Sequence, residues 1–257
     1  MLRIAFVEWP EGLSAPGPQW DALKNNIVPA HPDLLITNEL PFGPWIAENE
    51  VFSKEDAEAS LRAHENGLRA LTDLNLPAVI SSRPIQNGNR LANEAFVLEK
   101  GIVRPLHRKQ YFPNEPGWFE SNWYAADGSG FRVADVLGIK VGVLLCTDAM
   151  FNEHARAYGK QQASLIALPR ACGTNIESWK LAAAMASLVS GAYVVSSNRV
   201  GPAKGGTCFG GVGFAYAPHG RLLTETSPAT PVQTVELDPE ISASAKREYP
   251  CYVPDSR

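Results

Sequence analysis

The chain has 257 residues, 45% of them hydrophobic and 19% charged, with a formal net charge of −4. That length allows one large α/β unit or two small ones, and the apolar share is enough for a buried core. The negative balance gives no basic field for nucleic acid and no polybasic patch for a membrane surface, and no segment approaches the apolar length that spans a bilayer.

The N-terminus reads as a first strand over Arg3 to Glu8 rather than a secretion signal, because the apolar run before the first acid is too short. Pro10, Gly12, Pro16 and Gly17 mark a loop, and Trp20 to Val28 carries apolar residues at helical spacing. Leu34 to Thr37 is a short buried strand that runs into Asn38, Glu39, Leu40, Pro41, Phe42 and Gly43. Ser53 to Leu74 reads as a helix: Ser53 can cap it, Asp56 follows three residues on, and Leu61, Leu68 and Leu71 share a stripe. Strands are expected at Ala78 to Ser82, Leu91 to Leu98 and Gly101 to Leu106, the last two joined by the turn Glu99-Lys100-Gly101.

His107 to Gly130 is rich in aromatic residues, proline and glycine and fits no regular element, which marks it as a candidate functional loop. Phe131 to Val136 and Lys140 to Leu145 follow as strands around Gly138. Ile139 to Leu145 is apolar without polar alternation, the pattern of a strand buried on both faces. It ends in Cys146, Thr147 and Asp148, and a helix is expected from Asn152 to Lys160. Further on come a strand at Leu165 to Leu168, a helix at Trp179 to Ser190 and a strand at Tyr193 to Ser196 that ends at Asn198-Arg199. A glycine-dense loop and hairpin spans Gly201 to Gly220, closing strands lie within Leu222 to Leu237, and the tail after Pro239 reads as irregular. Mixed strands and helices without a repeat or linker predict one α/β domain over residues 1–257.

The four cysteines, Cys146, Cys172, Cys208 and Cys251, form no CxxC pair, and the five histidines form no HxH or HExxH group. Neither a metal site nor a dense disulfide framework is expected; reduced thiols in the cytoplasm are. Cys172 and Cys208 read as small packing residues, and Asn198-Arg199 reads either as a contact to the site or, for the arginine, as a structural salt-bridge partner. A nucleotide site built on Gly205, Gly206, Gly210, Gly211 and Gly213 is a weak alternative, because those glycines do not sit between a strand and a helix in a GxGxxG arrangement.

Chemistry concentrates at three strand ends, in Glu39, Lys109 and Cys146. A cysteine at the end of a buried strand and before a helix stands where open α/β sheets place reactive groups, although most buried cysteines are inert packing. A lone acid or a lone lysine in a loop is ordinarily solvated. The three together supply what thiol acyl transfer requires: a nucleophile, a carboxylate to take its proton, and an ammonium which, with a backbone N–H such as that of Thr147, can stabilise an oxyanion. No GxSxG sequence offers a serine alternative.

The segments TNELPFGPW around Glu39, HRKQYFPNEPGWFE around Lys109 and GVLLCTDAMFNEHAR around Cys146 resemble the nitrilase superfamily of carbon–nitrogen hydrolases. LIALPRA with Arg170, WKLAAAMASLVSGAYVVSSNRVG and FGGVGFAYAPHG extend that resemblance along nearly the whole chain. It implies an α-β-β-α sandwich that associates into dimers or larger homo-oligomers, and a cofactor-free hydrolase acting through a thioester. Its substrate would be a small amide or N-carbamoyl compound. Glu39 would be the general base, Lys109 the stabiliser of the tetrahedral intermediate and Cys146 the nucleophile. For a further glutamate in the loop after the lysine, Glu115 and Glu120 compete. The Pro116-Gly117-Trp118-Phe119-Glu120 stretch matches the pattern of carbamoylputrescine-type amidases and favours Glu120, leaving Glu115 as a carboxylate on the loop face. Thr147, Asp148, Phe42, Trp118, Glu115 and Arg170 are expected to contact substrate, with Trp45 and Trp123 as further aromatic wall candidates.

The chain departs from the family at Thr147, where many relatives carry Trp or Tyr, and at Gly213, where serine is common. Asp148 follows the amidase and carbamoylase pattern, whereas true nitrilases show Glu there. A nitrilase and a catalytically silent homologue serving as a binding module are the competing expectations.

Overall fold

The computed structural model describes residues 1–255. In chain order its elements are β1 (Leu2–Pro10), α1 (Pro18–Ile27), β2 (Leu34–Ile36), α2 (Lys54–Thr72), β3 (Ala78–Asn87), β4 (Arg90–Glu99), β5 (Ile102–Arg108) and the single turn α3 (Glu120–Trp123). There follow β6 (Ala134–Val136), β7 (Ile139–Val143), α4 (Asn152–Lys160), β8 (Leu165–Ala167), α5 (Ile176–Ser190), β9 (Tyr193–Ser196) and β10 (Asn198–Pro202). The last are β11 (Cys208–Gly210), β12 (Phe214–Tyr216), β13 (Leu222–Glu225), β14 (Val232–Leu237) and α6 (Pro239–Ala245).

Two sheets are stacked. The first runs β11-β10-β1-β2-β3-β4-β5 with β14 also paired to β1, and the second runs β13-β12-β9-β8-β7-β6. β1, β2 and β3 are parallel neighbours in the first sheet, as are β7, β8 and β9 in the second.

Side-chain alternation sorts the chain into four layers. Ile4, Phe6, Ile36, Ile80 and Val97 of the first sheet meet Val141, Val143, Leu165 and Val195 of the second. The opposite faces, through Ala5, Val7, Leu35 and Val79, pack on Trp20, Leu23, Ile27 and Leu71 of α1 and α2. On the far side Leu144, Ile166 and Val194 pack on Tyr158, Ala183 and Ala186 of α4 and α5. Strands apolar on both faces are what helix-covered parallel sheets require, and the result is the α-β-β-α sandwich.

Local details account for the element boundaries. Asp56 N–H donates to Ser53 Oγ at 3.2 Å, so Ser53 caps α2. The 310 turn Cys146–Met150 begins directly after the second sheet's β7 and precedes α4. Three expectations need correction. The tail beyond Pro239 is not irregular: Asp238 Oδ1 accepts the Glu240 N–H at 3.0 Å and Pro239 opens α6. The loop from His107 to Gly130 holds the short α3. Asn198-Arg199 is not merely the end of the preceding strand: the chain crosses between sheets at Ser197, so that β9 lies in the second sheet and β10 pairs with β1 in the first. Among the described residues, no helix is long and apolar enough to cross a membrane, and no group of three or more His, Cys, Asp or Glu side chains is arranged to hold a metal ion.

Candidate active site

Glu39 follows β2, Lys109 follows β5, and Cys146 opens the turn after β7, so two of the three come from the first sheet and one from the second. The structure brings them together. Lys109 Nζ donates to Glu39 Oε1 at 2.8 Å and to Glu120 Oε2 at 2.6 Å, and all three side chains are fully buried. Asn93 Nδ2 donates to the same Glu39 Oε1 at 2.7 Å. Glu39 Oε2 is buried with no hydrogen-bond partner, as is Glu120 Oε1. The charges of Glu39 and Lys109 both act on the Cys146 thiol.

Burial governs the protonation states. Desolvation pulls the Lys109 ammonium down, but Glu120, Glu39 and Cys146 together outweigh it and hold the group well above its ordinary value. Desolvation pushes the Glu120 carboxyl up to about 8 against the opposing pull of Lys109. One ammonium between two ionised carboxylates would leave a net negative charge in a site shut off from water; a proton on Glu120 removes it. The Cys146 thiol is raised well above its ordinary value, by burial first and by Glu39 next, with Lys109 opposing. Cys146 therefore rests as a thiol, and its proton must leave as the sulfur reacts.

Backbone geometry sets the nucleophile's turn. Cys146 has φ of 47°, a left-handed conformation unusual for a residue with a Cβ, at the junction of strand and turn. Its N–H donates to Pro169 O at 2.9 Å, and Arg170 N–H donates to Ser197 O at 3.0 Å, which ties the nucleophile's turn to the segments after β8 and β9. The next N–H, that of Thr147, has no acceptor among the described residues.

A cavity of about 380 Å3 opens on Cys146 and Glu120 and is walled by Thr147, Trp118, Trp179 and Cys172, with Glu115 at its mouth. Glu39 and Lys109 do not touch this space; they stand behind it, one contact beyond Glu120.

The remaining expected residues separate. Glu120, not Glu115, reaches Lys109, while Glu115 is exposed on the rim. Thr147 and Trp118 line the cavity. Phe42 does not: it packs edge-on to Trp9 and beside Trp20 in the core under α1 and α2. Trp45 and Trp123 are likewise off the cavity, spending their indole N–H groups on Gly117 O and Asn49 O. Arg170 is fully buried and faces away, donating to Ser196 Oγ, Cys172 Sγ and Val212 O and lying 4.2 Å from the Phe214 ring centre. Asp148 is also fully buried and serves the scaffold, accepting the N–H groups of Gln110, Tyr111 and Leu145.

The serine expected by family pattern at Gly213 has no room here, since a Cβ would lie 2.8 Å from Ser196 O and 3.1 Å from the Phe6 ring. Gly213 packs between the sheets' ends and does not enlarge the cavity. Cys172 is a cavity-lining thiol rather than plain packing, and Cys208 is exposed. Arg199 pairs with Glu11 and donates to Leu40 O and Gly43 O, fastening the loop that follows Glu39.

Sequence reading missed Asn93, Trp179 and Cys172 as site residues. Asn93 had a signal: a fully buried polar side chain inside the apolar strand Leu91 to Leu98 requires a partner. Trp179 sits in the first turns of α5, and nothing in its spacing separates a cavity wall from ordinary packing.

Comparison with known proteins places this geometry. The family profile described as carbon–nitrogen hydrolase matches residues 20–247. An (R)-stereoselective amidase of Pseudomonas sp is 25% identical over 74% of this chain and 67% of its own length. An N-carbamoylputrescine amidase of Arabidopsis thaliana is 27% identical over 56% of this chain, and the match spans only 54% of the plant protein. Among solved structures, a carbon–nitrogen hydrolase from Helicobacter pylori G27 superposes with a TM-score of 0.85 at 20% identity, covering 98% of this chain and 94% of that one. An amidase from Nesterenkonia sp. superposes with a TM-score of 0.76 at 21% identity, covering 94% and 92%. The fold is that of these enzymes, and the profile match extends over most of the sequence. The chain belongs to the carbon–nitrogen hydrolase family.

Proposed function

We propose that this chain hydrolyses the C–N bond of a small amide or N-carbamoyl compound through a thioester on Cys146, with release of ammonia. The observation that carries the reading is the asymmetry of Glu39: one carboxylate oxygen is clamped by Lys109 and Asn93, and the other is buried with no partner. A carboxylate with a free oxygen, whose charge acts on a protonated thiol, supplies what a general base needs. The relatives described as amidases support the substrate class.

The steps follow from the charges. Cys146 Sγ attacks the carbonyl carbon while Glu39 takes the thiol proton. The carbonyl oxygen becomes an oxyanion, stabilised by the Lys109 ammonium and the unengaged N–H of Thr147. Collapse breaks the C–N bond, and Glu39 returns its proton to the departing nitrogen, giving ammonia and a thioester. Water then attacks the thioester carbonyl with Glu39 again taking a proton, and the carboxylic acid (the carbamic acid for a carbamoyl substrate) leaves as the thiol is restored. Glu120 holds Lys109 alongside Glu39 and, protonated, keeps the buried cluster neutral.

The test is ammonia release from a panel of aliphatic amides, ω-amides, N-carbamoyl amines, N-carbamoyl amino acids and nitriles. Turnover of an amide or carbamoyl compound that disappears in Cys146→Ala is the expected result. Turnover that survives Cys146→Ala, or that is confined to nitriles, overturns the reading.

A further inference from the structure

We infer that Glu115 makes this site selective for amides whose far end carries a cation, and against those ending in a carboxylate. The inference rests on the amide-hydrolase reading above and concerns the half of the cavity remote from the sulfur. Apart from the buried cluster and the Cys172 thiol, the described residues of the cavity lining hold one ionisable side chain, and it is an acid: Glu115 is exposed there beside Trp118.

Among the described residues, no lysine or arginine lines the cavity. Lys109 is buried between Glu39 and Glu120 at the sulfur end of the site, where its charge acts on Cys146, and is not among the residues lining the cavity. Arg170 uses Nε, Nη1 and Nη2 on Ser196, Cys172 and Val212, is covered by Phe214, and lines no part of the cavity. A carboxylate entering at the mouth would meet no positive charge to offset its desolvation, and would meet Glu115 as a like charge. An ammonium would meet a carboxylate and the indole rings of Trp118 and Trp179, both favourable for a cation.

The position of Glu115 is set by its backbone. Glu115 and Trp118 exchange hydrogen bonds, with Glu115 N–H to Trp118 O at 3.2 Å and Trp118 N–H to Glu115 O at 2.8 Å, closing a tight turn. Gly117 in that turn has φ of 88°, and a Cβ there would lie 2.8 Å from Thr207 Oγ1. Trp45 Nε1 donates to Gly117 O at 3.0 Å, and Trp118 Nε1 donates to Ala171 O at 3.2 Å. The turn is fastened on both sides, so the acid is anchored on a rigid rim rather than on a loose loop tip.

The experiment compares kcat/KM for three amides of equal chain length: an ω-ammonium alkanamide, the neutral alkanamide and the ω-carboxylate alkanamide. The expected order is ammonium above neutral above carboxylate. Glu115→Gln should lower the ammonium-to-neutral ratio by about three- to tenfold, the range for a rim charge beside an aromatic face. Glu115→Lys should move preference toward the carboxylate amide, and added salt should compress the wild-type ratio. Equal treatment of the three amides, or an ammonium-to-neutral ratio unmoved by Glu115→Gln, overturns the inference and leaves the hydrolase reading standing. No turnover of any of the three by the folded wild-type protein, nor of the wider panel, overturns the hydrolase reading and the inference with it.

Discussion

His107 Nε2 lies 2.9 Å from Asp148 Oδ2, and both side chains are sealed from water. Asp148 also accepts the N–H groups of Gln110 and Tyr111, which follow Lys109, and of Leu145, which precedes Cys146, each at 3.2 Å. One carboxylate thus fixes the lysine's loop against the cysteine's turn. Asp148→Ala is expected to lose about 3 kcal/mol of stability in urea unfolding, because buried donors lose their acceptor. The same variant should lose kcat with little change in KM, and Asp148→Asn, which keeps an acceptor, should fall between. Wild-type kcat in a folded Asp148→Ala protein would contradict this linkage.

Removal of the Lys109 ammonium leaves Glu39 and Glu120 facing one another without a cation. Lys109→Ala should cost about 10²–10³ in kcat, the scale of one oxyanion donor. It should also cost about 3–5 kcal/mol of stability at pH 8, the range for breaking a buried ion pair, and less at pH 5, where Glu120 is fully protonated. Urea titrations at both pH values check the second statement independently of turnover.

Glu120 carries a proton up to about 8, so the buried cluster gains negative charge above that pH. Turnover should therefore fall as pH rises through about 8. Glu120→Gln, which keeps an amide in place of the protonated acid, should show its remaining turnover without that alkaline limb. An unchanged limb in the variant would assign the titration to another group.

His64 controls an acid window instead. Burial is the largest effect and lowers it to about 4, with Nδ1 donating to Ser60 O and Nε2 accepting the Phe42 N–H in the neutral tautomer. The unfolded chain binds the proton near 6.5 and the folded chain only near 4. Stability attributable to His64 is thus whole above pH 6.5 and is lost as pH falls toward 4, amounting to about 3 kcal/mol across the window. Thermal unfolding of wild type and His64→Gln over that range should converge as the pH drops.

Gly142 lies inside β7 with no room for a side chain, since a Cβ would sit 2.6 Å from the Tyr158 ring. Tyr158 cannot give way freely, because its hydroxyl donates to Val143 O at 2.7 Å. Gly142→Ala should destabilise by about 1–3 kcal/mol, the range for overpacking a core, despite alanine's lower conformational entropy. Chemical denaturation measures it, and a neutral or stabilising result would show that Tyr158 has another position.

The sequence made the layers legible where apolar residues ran without interruption, as in Ile139 to Val143 and Leu34 to Ile36, since only doubly covered strands read that way. Glu39, Lys109 and Cys146 were legible because each stands at a strand end. The assignments to Phe42, Asp148 and Arg170 went astray for one physical reason: proximity along the chain to a reactive residue does not fix the direction of a side chain. Asp148 turns inward to three backbone donors, Arg170 to the layer behind Cys172, and Phe42 into the α1–α2 core. Asn93's need of a partner was legible, but the partner's identity was hidden: Glu39 lies 54 positions away, and only the pairing of β2 with β3 and of β3 with β4 brings them together.

Glu39 and Lys109 descend from one sheet and Cys146 from the other. The three side chains are consequently aligned only while the interior between the sheets is closed, and neither half of the chain carries the complete set. Loss of turnover in denaturant should then coincide with the loss of near-ultraviolet aromatic signal, with no earlier, separately inactivating step.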